Sequence, residues 1–246
     1  MKLLRTTARL RLRRPLVLAF GWTVVLCAGP GAATCPGMAP PATLPMPTTA
    51  DPPVEREIRV RAFAGGGGDT KGSGFGGGGL RATFSPIAGM VVGTELGGGA
   101  RHNSAKLQTE QGVERETAVS SRLLVGYGFW LYRRTLSAAA EAGLTPGLHS
   151  EFGGFVGPDL TVSMTAGGQK WWAVTAGYRL AYMVPSRDEH WSPALYHLAA
   201  LTLVVPRAAR YGFFLQCGIV YGHKFPTPGN AFGVLGAVGF TFRYAP

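Results

Sequence analysis

Two groups of side chains in this sequence are of types that do chemistry. The first is the histidines: His102, His149, His190 and His223 lie in or beside stretches without strand pattern, and two have acidic neighbours, in His149-Ser150-Glu151 and Asp188-Glu189-His190. An imidazole beside a carboxylate is the start of a hydrolytic or metal-holding site. The same residues in solvated loops need no role at all, and that plainer reading is preferred. The second group is Arg59, Arg61, Arg81, Glu95, Arg122, Glu141, Arg179 and Arg243, which share the polar parity of segments whose other parity is apolar. Confined together they would pair into a salt-bridged network. With six arginines against two glutamates, they would alternatively favour the passage of anions. The glycine runs around Thr70-Lys71-Gly72-Ser73 lack the Gly-Lys-Ser/Thr order of a phosphate-binding loop, and no helix pattern follows, so no cofactor is expected.

The elements that would position the charged set are strands. Ala231 to Tyr244 alternates throughout, with Phe232, Val234, Val238, Phe240, Phe242 and Tyr244 on one side and Gly233, Leu235, Ala237, Gly239, Thr241 and Arg243 on the other. At about 3.3 Å per residue this strand is about 46 Å long, which suits a tilted crossing of a bilayer better than a soluble domain. Ten such segments are expected, at about 56–64, 78–85, 90–100, 117–131, 134–146, 159–166, 171–184, 194–205, 209–222 and 231–244, with eight as the alternative if 159–166 is not a full strand. The connections alternate: 65–77, 101–116, 147–158, 185–192 and 223–230 are read as long, those between them as short. Short turns on one side and long loops on the other are the pattern of an antiparallel up-and-down membrane barrel.

The apolar parity carries no charge and is assigned to lipid; the polar parity, rich in small residues, is assigned to a narrow lumen. Phe129, Trp172, Tyr211 and Tyr244 are expected at one rim, and Tyr182, Tyr196, Tyr221 and Phe232 at the other. The segment 196–205 is apolar on both faces, and its parity stays open.

Composition agrees with export to a membrane. Only 15% of the 246 residues are charged and 37 are glycine, against about 25% charged in ordinary soluble domains. No run reaches the roughly 20 apolar residues of a membrane helix. Residues 1–33 read as a signal peptide, basic to Arg14 and apolar from Pro15 to Leu26, cut after Ala33 or Ala28. Residues 34–54, rich in Pro, Thr and Ala, read as a disordered periplasmic tail, with residues 55–246 as the barrel. Cys35 is a free thiol or a lipidated residue, and no disulfide is expected. The formal charge of +11 includes six basic residues in the first fourteen positions; without them 18 basic face 13 acidic residues, and no stacking or groove-reading motif accompanies them. Nucleic acid is excluded as a partner.

The closing strand, with its aromatic Tyr244 followed by Ala245 and Pro246, resembles the last strand of bacterial outer-membrane β-barrels. From about Glu57 to Tyr244 the pattern resembles the OmpA-type and OmpW-type small barrels. The resemblance implies a Gram-negative outer membrane, lipid and lipopolysaccharide around the wall, and the barrel assembly machinery as a partner during biogenesis. The leading expectation is a non-catalytic integral protein whose outer loops contact small solutes, lipopolysaccharide or partners. A narrow anion-preferring, porin-like passage is the alternative. A rim hydrolase of the omptin or lipid A deacylase type is the second, without a residue-by-residue match to either motif.

Overall fold

The computed structural model describes residues 49–69, 74–102, 115–150, 153–185, 193–224 and 230–246. The expected signal peptide, Cys35 and His190 lie outside them. Ten antiparallel strands form a closed barrel: β1 (Ile58–Asp69), β2 (Gly74–Phe84), β3 (Met90–His102), β4 (Arg115–Tyr132), β5 (Leu136–His149), β6 (Gly153–Gly167), β7 (Ala173–Pro185), β8 (Ala194–Val205), β9 (Tyr211–Lys224) and β10 (Asn230–Tyr244). Each strand pairs with its sequence neighbours, and β10 closes on β1 in continuous register from Ile58↔Tyr244 to Asp69↔Gly233. The ten expected strands are all present.

Their lengths differ from expectation at one end. The sequence pattern makes 65–77 a loop, yet Gly65↔Gly77 and Gly66↔Gly76 pair within the β1–β2 ladder, leaving only 70–73 outside. Likewise β5 and β6 extend toward each other through Pro146↔Val156 and Leu144↔Pro158, leaving only 150–152. Glycine and proline penalise a strand on its own, but both neighbours here supply the ladder, and tertiary pairing overrides propensity. Long connections remain only at 103–114 and 186–193, so the alternation of loop lengths is weaker than the sequence suggested. These lie at one end, called here the long-loop end; 85–89, 133–135, 168–172 and 206–210 form the short-turn end.

The inward glycines have a packing reason. A Cβ on Gly67 would meet Phe75 Cζ at 2.7 Å, and one on Gly79 would meet Phe63 Cζ at 2.6 Å, so the two inward aromatics reach over bare backbone. The β8 parity is settled by the same inward packing. Tyr196, Leu198, Ala200 and Val204 are buried inside, and the first three cluster with Ala181, Ala194, Val220 and Leu235 against Phe75 and Met183. Tyr196 therefore leaves the expected outer girdle for the core, while Tyr182, Tyr221 and Phe232 stay on the exterior. The exterior is a wall of exposed Leu, Val, Ile and aromatic side chains, among them Phe129, Trp172, Tyr211 and Tyr244 near the short-turn end. A closed barrel that is greasy outside and charged inside is a membrane β-barrel.

Candidate functional site

The lumen is filled in three tiers. Toward the long-loop end lies the apolar cluster just described, beside an ion pair of Arg101 and Asp69 at 2.7 Å. The sequence pattern puts both of those residues in loops; extension of β1 and β3 brings them inside.

The middle tier contains most of the predicted charged set, arranged around a residue the sequence reading missed. Asp159 accepts both Arg122 Nε contacts at 3.0 Å, a further contact from Arg122 Nη2, one from Arg179 Nη2 at 3.1 Å and one from Thr145 Oγ1 at 3.1 Å. Arg122 also donates to Glu141 at 3.4 Å, and Arg81 donates to the other Glu141 oxygen. Gly143 makes room for this: a Cβ there would stand 2.6 Å from Arg122 Nε and 2.7 Å from the Asp159 carboxylate. Glu95 is held less directly. It is 1% exposed, its oxygens accept no hydrogen bond, and its partners are Arg81 at 3.7 Å and Arg122 at 4.0 Å. Arg61 is buried and lies over the Phe214 ring at 5.7 Å. With 147–158 expected as a loop, Asp159 falls at a strand edge, and the sequence pattern does not bring it inward. Its parity, opposite Leu160, Val162 and Met164, was the signal that could have found it.

The third tier is the chain itself. Residues 49–54 were expected in a disordered tail, but Thr49, Ala50 and Asp51 are buried in the short-turn mouth of the barrel. The Ala50 amide donates to Thr165 Oγ1 at 2.6 Å. Asp51 receives both arms of Arg207, at 2.9 and 2.6 Å, and Ser137 Oγ at 2.7 Å. Arg243 donates to Thr49 Oγ1 at 3.3 Å, and the Gly89 amide to Pro53 O at 2.9 Å. Arg59 belongs to this tier: it donates to Glu57 at 2.5 Å and to the Asp51 carbonyl at 3.1 Å. Burial by itself would raise the Asp51 carboxyl, but hydrogen bonds from Arg207 and Ser137 and the charges of Arg207 and Arg243 hold it below its ordinary value of 3.8. Glu57 is lowered in the same way, its burial outweighed by Arg59, the Val54 amide and Arg243. Anchoring, rather than composition, orders this stretch.

The charge balance of the lumen shifts accordingly. Among the described residues it holds eight arginines (59, 61, 81, 101, 122, 179, 207, 243) and six acids (51, 57, 69, 95, 141, 159). The excess is two positive charges, half of what the sequence reading gave.

Among the described residues no three His, Cys, Asp or Glu side chains come together as metal ligands would. His149 is buried on the inward face of β5 rather than in solvent. His223 is half-buried near the end of β9. The fifth, His197, faces outward, where its Nδ1 is 2.6 Å from Tyr178 Oη and its ring 5.9 Å from that of Tyr221.

No protein-family profile matches the sequence, and no curated protein matches it. Among solved structures the chain is similar in fold to the outer-membrane protease OmpT from Escherichia coli, with a TM-score of 0.40 and 6% identity over 79% of this chain and 98% of that one. It is also similar to the translocator domain of the autotransporter NalP from Neisseria meningitidis, with a TM-score of 0.37 and 12% identity over 78% and 89% of the two chains. Outer membrane phospholipase A from Escherichia coli gives a TM-score of 0.32 and 13% identity over 78% and 93%. These likenesses are of architecture, at identities where function does not travel with fold.

Proposed function

We propose that this chain is a bacterial outer-membrane β-barrel without catalytic activity, closed through its lumen, that holds its long-loop end to the exterior as a contact surface for solutes, lipopolysaccharide or partners. In this orientation the short turns and the seated segment 49–54 face the periplasm, as in barrels with short periplasmic turns. The observation that carries the reading is the three-tier filling of the lumen, above all the Asp51–Arg207 pair that fixes the chain in the mouth. A near balance of buried charge speaks for a packed plug over an anion passage, because each inward acid except Glu95 accepts a hydrogen bond from an arginine.

The test is electrical. Purified protein refolded and inserted into planar bilayers is expected to raise the membrane current no further than a detergent control. A steady, resolved single-channel step in the unmodified protein would overturn the plugged reading in favour of the pore.

A further inference from the structure

The short-turn rim carries a set of cations that neither the lumen nor the strand ladder uses. Arg56, Arg133, Arg134, Lys170 and Arg210 are all exposed there, against the single exposed acid Glu55. The connections at the other end, 70–73, 103–114, 150–152, 186–193 and 225–229, hold three basic and five acidic residues. The two ends of the barrel therefore differ in sign.

Two further features set these cations apart from ordinary turn residues. Arg210 is held on the outer wall: its guanidinium carbon stands 5.8 Å over the Tyr211 ring, 5.2 Å over Phe242 and 5.9 Å over Tyr244. Arg133 rests 5.4 Å over Tyr132, and Lys170 adjoins the exposed Trp171 and Trp172. Rings at this height mark the headgroup level, so the charges riding on them sit where phosphates lie. Moreover, Arg56, Arg133 and Arg134 have φ of 61°, 34° and 57°, and no other non-glycine residue among those described has positive φ. Glycine or asparagine would suit these positions better. Arginine thus stands at three strained turn positions of this rim.

We infer that this rim is a collar that binds the phosphates of anionic glycerophospholipid in the periplasmic leaflet. Arg210 and Arg133 are the points of closest contact, and the aromatic belt fixes their depth. The inference rests on the membrane orientation proposed above. Each cation near an anionic surface strengthens association about fivefold, so even two engaged phosphates give a measurable lipid preference.

The rim supplies its own reporter, because Trp130, Trp171 and Trp172 lie in it. The protein is to be refolded into phosphatidylcholine vesicles containing equal small fractions of either brominated phosphatidylglycerol or brominated phosphatidylcholine, and tryptophan quenching compared. Quenching by the anionic lipid is expected to correspond to about three- to fivefold enrichment around the barrel. The preference should fall toward parity at high salt and in the variant Arg133→Gln, Arg134→Gln, Lys170→Gln, Arg210→Gln. Arg210→Gln alone, which leaves both left-handed turns untouched, should lose part of it and guards against misfolding of the fourfold variant. Equal quenching by the two lipids overturns the inference, as does a preference that survives in the variants. Retention on isolated cell-wall sacculi, lost in the same variants without any lipid preference, would assign the collar to the wall polymer instead and overturn it too. Failure of the wild type to float with pure phosphatidylcholine vesicles would strike the membrane reading itself, which separates the two failures.

Discussion

Asp159 and Glu95 are both buried acids of the same network, yet they are held in different ways. Asp159 accepts hydrogen bonds from two arginines and a threonine, whereas Glu95 meets its arginines only at 3.7 and 4.0 Å. Removing one partner of a buried, hydrogen-bonded pair costs about 3–5 kcal/mol, because the remaining charge is left uncompensated. Asp159→Asn is therefore expected to lower the urea stability of the vesicle-inserted barrel by that order, and Glu95→Gln by clearly less. Equal losses would mean that the hydrogen bonds of Asp159 carry no special weight. At the mouth, Asp51 and Glu57 have folded-state pKa values below their ordinary 3.8 and 4.5, so their stabilisation is complete above those ordinary values and is lost as pH falls through the lowered ones. The segment is expected to be seated at neutral pH and released under strong acid. Hydrogen exchange at the Ala50 amide, which bonds Thr165, reports this directly: Asp51→Asn should cut its protection at neutral pH by at least about tenfold, about 1.4 kcal/mol. The eight charged residues predicted inside could be read because strand parity is a local property. Asp159, Asp69 and Arg101 could not, because their inward side depends on how far a strand continues past glycine or proline.

At the level of single strands, alternation was legible wherever one face was clearly more polar than the other. It failed on β8, where Tyr196 and Leu198 point in while Leu195 and Leu201 point out, all four being apolar. Its inward side follows from filling: Leu198 and Val220 occupy the lumen beside glycine-lined β1 and β2, where small side chains leave space. The length of β6 was equally hidden, since Pro158 reads as a stop until Leu144 is seen opposite it. On β10 the assignment was plain and gives a sharp test. Val238 stands mid-strand, 57% exposed on the wall. Val238→Arg places a charge near the bilayer midplane and is expected to cost about 2–4 kcal/mol of folding into vesicles. Val238→Leu should fold normally. Tolerance of the arginine would reverse inside and outside for the whole barrel.

For the molecule as a whole, ten strands and their sheet order followed from the sequence, whereas the closure of the mouth did not. Nothing in the composition of residues 49–54 marks them as ordered; their order comes from partners scattered around the barrel. Those partners are distant along the chain. Asp51 reaches Ser137 and Arg207, 86 and 156 positions away; Ala50 reaches Thr165 at 115, and Thr49 is reached by Arg243 at 194. Contacts of such separation form late, since every intervening loop must close first. Their hydrogen-bond partners also come from separate staves, β5, β6, the β8–β9 turn and β10, which stand at the right mutual distances only when the full circumference is complete. Seating of the segment is then a checkpoint on assembly. A barrel caught with a strand missing or out of register leaves Asp51 without its arginine and residues 49–54 unseated, so that protease can tell the unfinished product from the finished one.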